Sequence, residues 1–181
     1  MKAGSEARGS GSSRLGPRAL APASHAGHGP RFVLDSSVAL GAFFEDEQDE
    51  YSVLVWRSMD DAQALVPALW HLELGNILSR AVRAGRISQQ AIDDSWARLE
   101  VVGLHTLALQ GDARLWAQRS TDWGLTAYDA CYLDTALQQR LPLATKDKQL
   151  ADAARRAGVQ LYLKAAPVRS ALRGKKTTLR G

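Results

Sequence analysis

Four carboxylates stand at comparable points of the chain. Asp35 follows Phe32-Val33-Leu34, Glu73 lies shortly after Leu65-Val66-Pro67, Asp129 is three residues past Thr126, and Asp147 is two residues past Pro142-Leu143-Ala144-Thr145. Carboxylates gathered at about 4–6 Å raise one another's pKa unless a cation stands between them. An all-oxygen donor set favours a hard ion such as Mg²⁺ or Mn²⁺ over Zn²⁺, which usually takes His or Cys. Such an ion binds a phosphate oxygen, activates water and stabilises charge on a leaving oxygen. The chemistry these residues point to is phosphodiester hydrolysis without a protein nucleophile.

Each acid also has a purely structural reading. Asp35 before Ser36 and Asp147 before Lys148 stand where a helix N-cap belongs, and Thr126-Ala127-Tyr128-Asp129 has the form of a capping box with its acid at the third position. Glu73 on an exposed helix turn would ordinarily be solvated. Leu72 and Leu74 flank it, however, and Asn76 follows on its own face three residues on. Capping accounts for helix starts one at a time; it does not account for a fourth acid inside an apolar helix.

The elements that must position these acids alternate along the chain. Phe32-Val33-Leu34 predicts a strand running straight into a helix through Ser36, Ser37, Val38 and Leu40. An acidic loop, Glu45 to Glu50, precedes an amphipathic helix marked by Tyr51, Leu54, Val55, Ser58 and Met59. Ala64 to Pro67 reads as a second strand closed by proline, and Leu69 to Val82 as a helix that Gly85 stops. Ser88 caps a helix with Ile92, Trp96 and Leu99 as its buried stripe, and Gly103 ends it. Leu104 to Leu107 is a third strand, and a helix through Leu115 and Trp116 runs toward Gly124. Thr126 opens a helix reaching Gln139, Pro142 to Thr145 is a fourth strand, and Asp147 opens a last helix that Gly158 ends. Val159 to Leu163 is read as a fifth strand. This alternation predicts an α/β fold with short, mainly parallel strands and helices on both faces. Ligands of such sheets bind beyond the carboxyl ends of the strands, the rim where all four acids are expected.

Composition narrows the classes. The chain of 181 residues is 45% apolar and 23% charged, close to the globular average, with a mean hydropathy of −0.23 and no apolar stretch long enough for a membrane span. One cysteine, Cys131, can form neither an internal disulfide nor a thiolate metal site, which suits a reducing cytoplasm. The formal charge of +4 is a property of the ends. Residues 1–31 hold five basic side chains and one acid, residues 164–181 hold six basic side chains and no acid, and the remainder carries 12 basic against 18 acidic. The body is therefore acidic, and a basic global balance says little about nucleic acid. Residues 1–30, rich in Gly, Ser, Ala, Pro and Arg, are expected to be a disordered extension, and 164–181 a basic flexible tail, around one domain over 31–163.

Four segments carry a resemblance. Phe32-Val33-Leu34-Asp35-Ser36-Ser37-Val38, Pro67-Ala68-Leu69-Trp70-His71-Leu72-Glu73-Leu74-Gly75-Asn76, Leu125-Thr126-Ala127-Tyr128-Asp129-Ala130 and Leu143-Ala144-Thr145-Lys146-Asp147 follow one another in this order. Together they resemble the PIN-domain ribonucleases, most closely the VapC toxins of toxin–antitoxin pairs. The resemblance implies a three-layer α/β/α fold and a Mg²⁺- or Mn²⁺-dependent endoribonuclease, homodimeric and inhibited by a VapB-like antitoxin. It assigns catalysis and metal binding to Asp35, Glu73, Asp129 and Asp147, a supporting role to the hydroxyls of Ser37 and Thr145, and a place beside the acids to Asn76. RNA approaching an acidic rim needs cations around it. Lys146 and Lys148 flank Asp147, and Arg80, with Arg83 and Arg86, extends from the Glu73 helix. The competing reading is a catalytically silent PIN-like binding module, although a pure binder has no need of four mutually repelling acids. A receiver-type phosphoacceptor is set aside because the third strand ends in Leu107-Ala108-Leu109 without an acid. A haloacid-dehalogenase-like phosphatase is set aside because Ser37 stands where its second aspartate belongs.

Overall fold

Phe32, Val33 and Leu34 are completely buried, and so are Ala64, Leu65 and Val66. Successive strand residues point to opposite faces, so both faces of the sheet are covered at these strands. The computed structural model describes residues 29–164. Its strands are β1 (Arg31–Leu34), β2 (Gln63–Pro67), β3 (His105–Leu107) and β4 (Leu143–Ala144), all parallel, in the order β3-β2-β1-β4. The helices are α1 (Ser36–Ala39), α2 (Glu50–Ser58), α3 (Leu69–Arg83), α4 (Gln89–Val102), α5 (Ala113–Trp123), α6 (Ala127–Gln139) and α7 (Lys148–Arg156). They complete a three-layer α/β/α architecture. α6 lies across β1, β2 and β4 with α5 and α7 beside it, while α1 packs with α2 and α3.

Local rules set most of the boundaries. Ser88 accepts from Ala91 N, Thr126 from Asp129 N and Asp147 from Leu150 N, each a side-chain cap at the predicted place. α4 and α5 end on Gly103 (φ 71°) and Gly124 (φ 64°), a left-handed geometry that glycine adopts at little cost. α2 begins in a capping box between Asp49 and Ser52, which turns Ser52 and Val55 inward and leaves Leu54 46% exposed, so Leu54 is not part of the buried stripe. Leu72 is 74% exposed, and Leu69, Trp70, Leu74, Leu78 and Ala81 form the buried side of α3. Trp70 is wholly buried and tilts against Trp96, which anchors α4 to α3.

The fifth strand is a correction. Residues 159–163 make a single bridge, Leu143 with Leu161, before Leu163 takes a left-handed φ of 54° and ends the extended run. Around that bridge Leu143 N donates to Gln160 O and Tyr162 N to Leu143 O, while the Tyr162 ring stacks flat on Phe32 at 3.9 Å, its carbonyl accepts from the Tyr51 hydroxyl and its own hydroxyl donates to Ser58. Apart from Gly29, Pro30 and Lys164, the expected extension 1–30 and tail 164–181 lie outside the described residues. Among the described residues no helix is long and apolar enough to cross a membrane.

The strand order has one consequence for ligands. The chain steps outward from β1 to β2 to β3 and then returns to β4 on the other side of β1. The carboxyl ends of β1 and β4 are the edge at which such a reversal generally places a ligand.

Candidate active site

Asp35 follows β1 directly at that edge, and the chain after β4 runs on through Thr145 to Asp147 beside it. Asp35 occupies the N-cap position of α1 in extended geometry (φ −80°, ψ 148°), yet its carboxylate makes no capping bond. Two hydroxyls hold it instead. Ser37 donates to Asp35 Oδ2 at 2.5 Å and Thr145 donates to the same oxygen at 2.7 Å. Each hydroxyl also accepts an amide of the loop after β4: Ser37 from Lys146 N at 3.0 Å, Thr145 from Asp147 N at 3.0 Å. Asp35 and Thr145 are buried, so the stitch between β1 and β4 is shielded from water.

Glu73 and Asp129 come to the same region on α3 and α6. Glu73 is half-buried in the second turn of α3 and accepts from the phenol of Tyr132 on α6. Asp129, in the first turn of α6, accepts from Thr126 Oγ1 at 2.7 Å through Oδ2. This is not a full capping box, since the hydroxyl rather than the Thr126 amide engages the acid. Asp147 is exposed and caps α7 through Oδ1 at 2.7 Å from Leu150 N, as its structural reading anticipated.

One pattern runs through the four acids. Their strong hydrogen bonds fall on one oxygen each: Oδ2 of Asp35, Oε2 of Glu73, Oδ2 of Asp129 and Oδ1 of Asp147. The second oxygen of Asp35 has only a 3.4 Å contact from Ser36. Burial, opposed by the hydroxyls of Ser37 and Thr145 and helped by the charge of Asp129, holds the Asp35 carboxyl above its ordinary range. Glu73 is likewise raised, first by burial and then by the charges of Asp35 and Asp129, against the phenol of Tyr132. Three acids thus bear on one another electrostatically, and no basic side chain is among the causes.

As placed, the acids do not close around an ion. Among the described residues no three His, Cys, Asp or Glu side chains converge to metal-binding distance. The donor chemistry fits a hard divalent ion: oxygen only, several negative charges, and each acid oriented through one oxygen by a neighbouring group. Cys131 offers no alternative nucleophile. It is buried, and desolvation followed by the charges of Asp134, Glu73 and Asp129 pushes its thiol up to about 11.

The cations expected around the rim divide. Lys146 is engaged: its ammonium donates to Glu47 O at 2.8 Å and pairs with Asp49 at 3.2 Å. Arg86 is engaged by the same acidic segment, with Nη2 at 2.7 Å from Asp46 and the guanidinium 4.1 Å over the Phe44 ring. Lys148, Arg80 and Asn76 are exposed, with Asn76 one turn beyond Glu73 on α3. His71, half-buried, bonds Thr106 Oγ1 at 2.8 Å and takes no part in the acidic group. Tyr132 and Ser36 were not singled out by the motifs. A lone phenol in the apolar run Ala130 to Leu133 was the available signal, because a buried tyrosine hydroxyl requires a partner.

The PIN domain family pattern matches residues 32–156. No curated protein matches the chain. Among solved structures it is similar to PAE2754 from Pyrobaculum aerophilum, with 23% identity, a TM-score of 0.51, and coverage of 68% of this chain and 79% of that one. A domain of a functionally unknown protein from Methanocaldococcus jannaschii aligns at 16% identity and a TM-score of 0.47 over 76% of this chain and 93% of that one. A PilT N-terminus domain protein from Sulfolobus solfataricus aligns at 17% identity and a TM-score of 0.38 over 73% and 85%. The first of these likenesses carries the fold.

Proposed function

Because this chain belongs to the PIN domain family, whose members are typically metal-dependent nucleases, we propose that it is a Mg²⁺- or Mn²⁺-dependent endoribonuclease of the VapC toxin kind. What supports the reading is the edge at the carboxyl ends of β1 and β4, where a buried Asp35 is held by two hydroxyls and shares its field with Glu73 and Asp129. Asp35, Glu73, Asp129 and Asp147 would hold the ion, which when bound supplies Lewis acidity and activated water at a phosphate. The chain's own residues do the remaining work. Ser37 and Thr145 fix Asp35 through Oδ2, and Thr126 fixes Asp129. Exposed Lys148 and Arg80 offer positive charge to the RNA backbone, and Asn76 stands beside the acids. Lys146 joins them only by leaving Glu47 and Asp49. The VapB-like antitoxin, the homodimer and the cytoplasmic setting rest on the resemblance to VapC toxins alone.

The test is cleavage of RNA by the full chain with Mn²⁺ or Mg²⁺, against the same mixture in excess chelator. Cleavage should vanish with the chelator. Asp35→Ala and Asp129→Ala should each lose more than the roughly 10–100-fold typical of an outer-shell group. RNA bound but left intact at saturating Mn²⁺ would identify a silent binding module instead. Undiminished turnover in chelator, or in D35A, defeats the assignment.

A further inference from the structure

The hydrogen bond between Tyr132 and Glu73 joins residues 59 apart in sequence. Tyr132 lies three residues after Asp129 on α6 and is wholly buried, with α6 packed across β1, β2 and β4. Its ring is therefore held in the core, and its hydroxyl donates to Glu73 Oε2. For stability alone any backbone carbonyl would satisfy a buried phenol. Here the partner is a half-buried carboxylate within the field of Asp35 and Asp129, and the Ser36 hydroxyl stands beside both groups. α1, α3 and α6 meet at this contact. The arrangement parallels Asp35, which Ser37 and Thr145 hold by one oxygen.

We propose that Tyr132 is a positioning residue of the acidic site: its hydroxyl holds Glu73 by Oε2 and leaves Oε1 to face a divalent cation. This rests on the reading of Glu73 as a metal-holding acid. An outer-shell donor of this kind is generally worth about 10–100-fold in metal affinity.

The experiment is Mn²⁺ binding to the full chain by titration calorimetry, without RNA, for wild type, Tyr132→Phe, Glu73→Ala and the double variant, beside thermal melts in chelator. Y132F deletes one oxygen and keeps the ring. It should weaken Mn²⁺ binding by about 10–100-fold, while adding it to E73A should cause no further loss, because Tyr132 acts through Glu73. If Y132F is unfolded at about 25 °C, the same titrations are run at lower temperature in a stabilising osmolyte, with the same two outcomes deciding. Y132F binding Mn²⁺ as tightly as wild type, with only a lowered melt, would reduce the contact to packing and overturn the proposal. So would an undiminished effect of Y132F in the E73A background. Wild type that binds no Mn²⁺ is a different failure: it removes the metal reading itself, and this inference with it.

Discussion

Thr145→Val is the substitution that most directly separates orientation of Asp35 from mere packing. Thr145 is completely buried, donates to Asp35 Oδ2 at 2.7 Å and accepts from Asp147 N at 3.0 Å. Valine keeps the shape and deletes both bonds. A hydrogen bond to a charged group is worth about 1.5–3 kcal/mol. The Asp147 amide lies at an exposed residue and can take water, which limits its share to roughly 0.5 kcal/mol. The extra buried methyl returns about 0.8 kcal/mol. The net loss is therefore about 2 kcal/mol, a fall in melting temperature of about 4–8 °C for a domain of this size. Ser37 still holds the carboxylate at 2.5 Å, so Asp35 loses half of its support. Mn²⁺-dependent cleavage should drop by about 10–100-fold. Thr145→Ser is the control: it keeps the hydroxyl, costs about 1 kcal/mol for the missing methyl, and should keep most of the activity. The assay pairs a melt in chelator with initial cleavage rates at saturating Mn²⁺. T145V melting within about 1 °C of wild type and cleaving at its rate would refute the reasoning, since both bonds would then contribute nothing.

Two further outcomes concern stability. Asp35 and Glu73 have folded pKa values raised above ordinary values of 3.8 and 4.5, so the folded state binds their protons more tightly than the unfolded one. Their contribution is full below those ordinary values and is lost as pH rises through the higher folded ones. Asp46, Asp49 and Asp112, held below the ordinary range, slope the other way, so the informative quantity is the stability of Asp35→Asn minus that of wild type. In chelator this difference should grow as pH rises from about 4 to 7, and added Mn²⁺ should cancel it; a flat difference would show that Asp35 is not destabilised by its charge. The second outcome concerns Asp134, 3% exposed, whose carboxylate lies 3.1 Å from Arg119 Nε, off the line of a hydrogen bond, and accepts from Gln138. Arg119→Ala strands a buried charge and should cost about 3 kcal/mol, whereas Asp134→Ala leaves an arginine able to reach water and should cost less. Equal melts for the two variants would contradict that asymmetry.

The reach of the sequence reading followed the range of the forces involved. Caps at Ser88, Thr126 and Asp147 and stops at Gly103 and Gly124 act within a few residues, and all five stand where spacing put them. Short apolar runs marked β1, β2 and β4, and the alternation over Leu104 to Leu107 marked β3. Asp35 is the instructive case among the acids. Its position as an N-cap was legible, but the absence of a capping bond was not, because the groups that draw its carboxylate away include Thr145, 110 residues on. The short strand expected at 159–163 is cut to one bridge for a related reason: Gln160 and Tyr162 still bond Leu143 through the backbone, but the left-handed turn at Leu163 ends the pairing there.

By itself, then, the amino-acid order determined where helices and strands begin and which carboxylates follow them, because propensity, capping and periodicity are written in neighbouring residues. Only the tertiary structure decided the strand order that sets β4 beside β1, the oxygen by which each acid is held, the seat of Glu73 against Tyr132, and the engagement of Lys146 by Glu47 and Asp49. Those outcomes depend on contacts between distant segments. A side chain's alternative partners there differ by a kilocalorie or so, about the worth of one hydrogen bond, and no local pattern records which of them wins.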